Sequence, residues 1–295
     1  MRTLKFLFVG LVLLAIGAGS AHSVPICSIS SLQALVDKAE PGSTVTLTAG
    51  ICSVNLVINK SLTLRGANFE KTVLKGSQPG KPVLYIESES PIKVMVENLS
   101  LVDAPKFSAE RDCAIFYPEL ICPSGFEVRG KAHATLRHAR IAGNAWVGVY
   151  VLDASRAIVQ DAEILNNGWG VYLSGEAQIS VEDSRVLNNK QVGIEAWASV
   201  SVTNSKISGN VDGIKIVQGS AKIFNNEIRE NSGHGLLATS TVSTEIRGNQ
   251  ITQNVGWGIT AWLRRCGFSN DSFSGQVTAI ENKVEENKQG QVCLP

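Results

Sequence analysis

The sequence predicts an all-β chain wound into a solenoid of short parallel strands, a parallel β-helix of about ten coils, and three regularities carry that expectation. A glycine followed by an apolar residue recurs at Gly125, Gly148, Gly170, Gly193, Gly213, Gly235 and Gly258, in steps of 20 to 23 residues. In phase with it runs an apolar residue with asparagine three positions later: Ile141/Asn144, Ile164/Asn167, Val186/Asn189, Ile207/Asn210, Ile228/Asn231, Ile251/Asn254 and Val284/Asn287. Inside each repeat the period is 2, as in Val171/Leu173, Ile194/Ala196 and Ile214/Ile216 after the glycine. A fixed long period marks a repeat architecture. Alternation within it marks strands with one face inward, and three short strands per repeat trace one coil of a β-helix.

Taken in order, the chain opens on MRTLK and 13 uncharged, mostly apolar residues from Phe6 to Ala18, followed by small residues. That is the pattern of a secretory signal peptide over residues 1–23, and it is too short for a membrane span of ~20 residues. The remainder, 24–295, reads as one domain. In SSLQALVDKAE, Leu32, Leu35, Val36 and Ala39 share a helical face, Ser30 and Gln33 have capping-box spacing, and Pro41-Gly42 ends the segment. This cap, residues 24–42, would cover the open end of the coil stack. STVTLTAG, VNLVINKSLTLRG, PVLYIES and VMVENLSLVDA then read as strands of less regular coils. Two segments break the rhythm, 103–124 and 263–276, and insertions at one corner of a solenoid commonly wall a binding surface.

Six cysteines follow the leader: Cys27, Cys52, Cys113, Cys122, Cys266 and Cys293. An even number in an exported chain points to disulfides. Their three local groups predict Cys27–Cys52, Cys113–Cys122 and Cys266–Cys293. No Cys-x-x-Cys is present, and neither a metal nor a cofactor is implied. The net charge of +1 gives no reason to expect nucleic acid or an anionic membrane. A secreted or periplasmic monomer is the expectation.

The asparagines have a structural reading: they suit left-handed bends, and stacked at ~4.8 Å their amides can hydrogen-bond from coil to coil. His138, Asp161 and Asp183 share a bend position with Asn204 and Asn225, so they read as turn residues rather than a metal ladder. Arg140, Glu163 and Arg185 stack with alternating charge, as on a solvated face.

With PGSTVTLTAG, SLTLRGA and the repeated Asn-to-Gly coils, the chain resembles the right-handed parallel β-helix, or pectin-lyase-like, superfamily over roughly residues 30–290. The resemblance implies the fold; its members include pectate lyases, polygalacturonases, alginate-modifying enzymes and adhesins, so activity must be read from the site. Gly233-His234-Gly235 resembles the active-site Gly-His-Gly of polygalacturonases, and NVDGIKI one coil earlier places Asp212 in a similar slot. The Asp-Asp pair and the Arg-x-Lys of that family are absent, and the signature fails.

One face remains unusual. The five tryptophans, Trp146, Trp169, Trp197, Trp257 and Trp262, crowd around one strand column and its preceding bend. With Tyr172 they suit stacking on sugars, so Trp169, Tyr172, Trp197, Trp257 and Trp262 are candidate substrate-binding residues. Asp212 and His234, in one slot on adjacent coils, form the candidate acid–base pair. Glu195 and Lys215 share another slot, as partners or as further catalytic groups. Glu127, Glu195 and Asp212 do not cluster as a calcium site would require. The functional expectation is an exported protein that binds a polysaccharide on this face and is a candidate to cleave or modify it; as an enzyme it would be a polysaccharide lyase or a glycoside hydrolase. The alternative is a non-catalytic cell-envelope, adhesion or structural solenoid.

Overall fold

The computed structural model describes residues 22–24, 29–106, 122–240 and 242–295. They form three parallel sheets that run the length of a β-helix, with 11, 10 and 10 strands. One coil illustrates the path. Gln178–Glu182 lies in the first sheet, Arg185–Leu187 in the second and Ile194–Ala196 in the third. Each pairs in parallel with its counterpart one coil on, so Glu195 faces Tyr172 on one side and Lys215 on the other. The inward residues of this coil, Ile179, Val181, Val186, Ile194 and Ala196, are buried in the common core. The strand Thr72–Gly76 of the second sheet lies outside the segments expected from sequence, because its short TVLKG run sits between irregular bends.

Stacking requires that buried amides be satisfied. The seven marker asparagines form one ladder along the bend between the second and third sheets. Asn189 donates from both its backbone N (2.9 Å) and its side-chain Nδ2 (3.0 Å) to Asn210 Oδ1. Asn210 repeats this to Asn231 at 3.0 and 3.2 Å, and the series closes when Asn287 donates to Gln291 Oε1. A second ladder at the preceding bend passes from Ser184 to Ser205, Asn226, Asn249 and Asn282. The left-handed residue, expected to be the marker asparagine, is the one before it: Asn166, Asn188, Glu230, Gln253 and Glu286 have φ of 53–59°. Placing the bend there frees the ladder asparagine to point inward. His138, Asp161 and Asp183 are likewise left-handed turn residues, at φ 47–48°.

The repeat glycine belongs to the same unit. A first side-chain carbon at Gly193 would stand 2.6 Å from the carbonyl oxygen of Gly213, 2.9 Å from Asn210 Nδ2 and 3.0 Å from an Ile207 methyl. Glycine, isoleucine and asparagine therefore recur together because each coil packs all three against its neighbour.

The helix Ile29–Lys38 covers the first coils with Leu32 and Val36 fully buried. Gln33 has a further role beside its capping-box spacing to Ser30. Its amide accepts from Val57 N at 2.9 Å and donates to Val57 O at 3.0 Å, as a neighbouring strand would, and so caps an exposed strand edge. Cys266 and Cys293 are bonded, tying the 263–276 insertion to the last strand of the third sheet. Cys52 and Cys122 are also disulfide-bonded; the expected partners Cys27 and Cys113, like residues 1–21 of the leader, lie outside the described residues, as does most of the 103–124 segment.

Replacing Asn210 by alanine strands the buried donors of Asn189, so we expect a loss of about 3–5 kcal/mol, since each unsatisfied buried group costs about 1–3 kcal/mol. Glu163→Ala, which removes partly exposed pairs to Arg140 and Arg185, should cost less than about 1 kcal/mol. Chemical denaturation of the two variants checks the ranking.

Candidate functional site

The outward column of the third sheet runs, in register, Val57, Tyr85, Glu127, Tyr150, Tyr172, Glu195, Lys215, Leu237, Thr260. Outward does not mean exposed here. Glu127, Tyr150, Tyr172, Glu195, Leu237 and Thr260 are all buried. Lys215 is half-buried, its side chain 27% exposed.

Two walls enclose it. On the N-terminal side Trp146 and Trp169 pack with ring centroids 5.0 Å apart, and with Trp197 they cover a second apolar cluster of Cys122, Val147, Tyr150, Leu152 and Tyr172. On the C-terminal side the 263–276 insertion folds back. Phe268 stacks on Trp262 at 4.4 Å and lies 5.5 Å from the His234 ring. Trp262 Nε1 donates to Asn270 Oδ1 and Trp257 Nε1 to Cys266 O, both at 2.9 Å.

The sequence-derived site residues therefore separate into groups. Glu195 is a hub: it accepts from Trp169 Nε1 (3.2 Å), Trp197 Nε1 (3.0 Å) and Lys215 Nζ (3.3 Å). Both carboxylate oxygens are engaged, which fixes the two indoles and the ammonium. Tyr172 is a correction to the stacking set, because it is buried beneath that wall and has no ring face for a ligand. Trp257 is another. Its ring fills the space a side chain on Gly290 would need, so it serves to anchor the insertion. Trp262 is taken up by Phe268 on one face.

The Asp212–His234 pair is also rearranged. Asp212 Oδ1 accepts from the backbone N of His234 at 2.7 Å, and His234 Nδ1 accepts from the backbone N of Trp257 at 2.9 Å. Both side chains satisfy bends rather than each other. Burial pushes the His234 imidazole below its usual value, with Asp212 opposing. An accepting Nδ1 then leaves the neutral ring with its proton on Nε2.

Sequence reasoning missed a buried ion pair in this column. Glu127, fully buried, pairs with Arg129 Nε at 2.6 Å and accepts from Ser124 Oγ at 2.8 Å. The Arg129 guanidinium lies over the Tyr150 ring, 5.9 Å from its centroid. Burial pushes the Glu127 carboxyl up to about 7, against the pull of Arg129. Burial and Glu127 push the Tyr150 phenol up to about 12, and burial and Glu195 raise Tyr172 as well. These phenols stay protonated, so neither supplies a tyrosinate base. Tyr85 joins the column from a coil without a marker glycine, where Val83 stands level with Gly125, which hid it from the repeat.

The sequence pattern of the right-handed β-helix region matches residues 108–224 and again 198–294. The chain belongs to the right-handed β-helix family. No curated protein sequence gives a significant match. Among solved β-helix structures it is similar to an alginate lyase from Paenibacillus sp. str. FPU-7, at TM-score 0.60 and 14% identity over 93% of this chain and 98% of that one. A tailspike protein from Acinetobacter baumannii bacteriophage Fri1, a capsular polysaccharide depolymerase, matches at TM-score 0.60 and 11% identity over 92% and 55%. The pectin methylesterase PemA from Erwinia chrysanthemi matches at TM-score 0.51 and 12% over 74% and 81%. At these identities the likeness is one of fold.

The raised carboxyl of Glu127 has a pH consequence. In the unfolded chain it ionises near the ordinary glutamate value of 4.5 and in the folded chain near about 7, so between those values the folded state holds the extra proton and stability falls as pH rises. The drop is on the order of 3 kcal/mol. We expect melting temperature to decline from pH 5 to pH 8 more steeply for the wild type than for Glu127→Gln. Parallel curves would refute the shift.

Proposed function

We propose that this is an exported protein that binds an acidic polysaccharide between the two aromatic walls of the third sheet. The observation that carries this reading is Lys215: an ammonium held by Glu195, partly open to solvent, between the buried Glu195 and Leu237 of its column. An ammonium flanked by indoles suits a uronate, whose carboxylate meets the charge while its ring lies on Trp197 or Trp169. The alginate lyase, the capsular polysaccharide depolymerase and the pectin methylesterase that share the fold support a polysaccharide ligand. Export is supported by the leader pattern at Phe6–Ala18 and by disulfide-bonded cysteines. No helix among the described residues is long and apolar enough to cross a membrane.

Of the two enzyme classes, the site favours a lyase. Lyase chemistry removes the proton beside a uronate carboxylate, and a cation against that carboxylate stabilises the charge that develops; Lys215 supplies one. A glycoside hydrolase needs two available carboxyl groups, and both oxygens of Glu195 are already engaged. Asp212 and His234 stay candidates for proton transfer at the rim, with His234 offering Nε2–H. The non-catalytic solenoid is the second reading, favoured by the burial of Tyr172 and the engagement of Trp257 and Trp262 within the chain's own insertion.

The experiment is a panel of polyuronates and neutral glucans, scored for binding and for new unsaturated ends. Lys215→Ala should weaken polyuronate binding roughly 10- to 100-fold, the range of a charge-assisted hydrogen bond, with little effect on neutral glucans. Unsaturated ends that vanish in Lys215→Ala and His234→Ala support the lyase. Binding without new ends supports a glycan-binding module. Indifference of the folded wild type to every glycan leaves the structural solenoid.

A further inference from the structure

The first sheet carries a groove of its own, on a different face from the site above. It measures about 570 Å³ and crosses the strands Leu62–Arg65, Lys93–Glu97, His133–Arg137 and Arg156–Gln160. Two columns of outward side chains line it, and a third runs beside it. Lys93, His133 and Arg156 stand in register on successive coils. Beside them run Thr63, Met95, Thr135 and Ile158, the last 43% exposed. Beyond these lie Arg65, Glu97, Arg137 and Gln160.

The electrostatics are one-sided. Glu97 is the one carboxylate on the outward face of these four strands, and it is buried between two guanidiniums, Arg65 Nε and Arg137 Nη2, each at 2.5 Å. Burial works against its ionisation, yet the two arginines hold it below its usual value. Four fixed cations thus face a single carboxylate that is already matched twice. Lys93 and Arg156 are exposed and engage in none of the salt bridges among the described residues.

We propose that this groove is a second binding strip for an extended acidic polysaccharide, lying along the solenoid axis with successive anionic groups against Lys93, His133 and Arg156. Neighbouring strands lie ~4.8 Å apart, close to the length of one pyranose unit, so one sugar meets one coil. The Thr63–Met95–Thr135–Ile158 column offers an apolar and hydroxyl floor to the sugar's C–H face. None of the outward residues of these four strands is Phe, Tyr or Trp, so only the His133 ring offers the base stacking that single-stranded nucleic acid relies on along its length. Ile158 is the one exposed large apolar side chain on these strands, too little apolar surface to enter a bilayer. The strip takes its ligand class from its own charge, so it stands or falls separately from the third-sheet site.

Affinity electrophoresis in gels holding polygalacturonate, alginate or neutral glucan tests it. Vesicles of equal phosphatidylglycerol and phosphatidylcholine and a single-stranded oligodeoxynucleotide serve as competing anions. Lys93→Ala/Arg156→Ala should weaken polyuronate binding roughly tenfold, as two partly screened surface pairs would. Lys93→Glu/Arg156→Glu should weaken it further, and both variants should melt like the wild type because these side chains are solvent-facing. Loss in the strip variants with none in Lys215→Ala would uphold the strip and remove the third-sheet reading. Loss in Lys215→Ala alone would overturn the strip and leave that reading intact. Tighter wild-type binding to the vesicles or the oligonucleotide than to polyuronate, abolished by the same two substitutions, would also overturn it.

Discussion

Everything in this molecule depends on a buried amide that only the next coil can satisfy. Asn189, Asn210 and Asn231 are each removed from water, and each hands both a backbone and a side-chain N–H to the oxygen of the following asparagine. An unmatched amide there costs more than a matched one contributes, so the ladder acts chiefly by penalising any other register. The glycine of each coil, pressed on the next coil's glycine carbonyl and ladder amide, enforces the same spacing sterically. Coil length can vary in the loops, as the insertion between Trp262 and Gln276 does, provided these contacts are re-made on return. Asn254 reaches Asn287 across that longer coil at 2.8 Å, as Asn231 reaches Asn254.

Fixed register has a chemical consequence. Side chains far apart in sequence become neighbours at strand spacing, and their identities decide whether a column is inert or charged. In the second sheet the column Arg140–Glu163–Arg185 alternates and neutralises itself. In the third sheet, Glu127 with Arg129 and Glu195 with Lys215 likewise pair, but there the chain also buries both carboxylates. Burying a carboxylate is costly, and the raised Glu127 carboxyl reports that cost. What distinguishes Lys215 is that the two walls stop short of it.

The fold was legible from sequence because period, glycine and asparagine all report one packing unit, and inward alternation was carried by Ile, Val and Ala that the core then buried. Shifts of one residue were not legible: the left-handed bend falls on Asn188 rather than Asn189, since sequence spacing does not say which of two adjacent polar residues turns inward. The pairing of Gln33 with the Val57 backbone was not legible because the two are remote in sequence. For the site, outward position was read correctly and exposure was not. Tyr172, Trp257 and Trp262 are covered or engaged by segments that return over the sheet, and a periodic pattern carries no signal for where an insertion folds back. Arg129 was missed because its column position is filled by Leu152 and Ser174 in the next coils, so nothing recurs there.

Charge shows the same limit at larger scale. A net charge of +1 argues against a polyanionic partner only if charges are spread evenly over the surface. A solenoid does not spread them; it sorts them by column. Glu97 stands between Arg65 and Arg137 in one column of the first sheet, while Lys93, His133 and Arg156 share a column with no carboxylate at all. The compensating carboxylates, such as Glu163, Glu227 and Glu281, lie in other columns and are tied to their own cations. Exposed charges are screened over about 8–10 Å at physiological salt, so a ligand on one face interacts little with charge on another. The potential that a polymer meets is set by two or three adjacent columns, and in a repeat fold those can be written down from the sequence once the register is known.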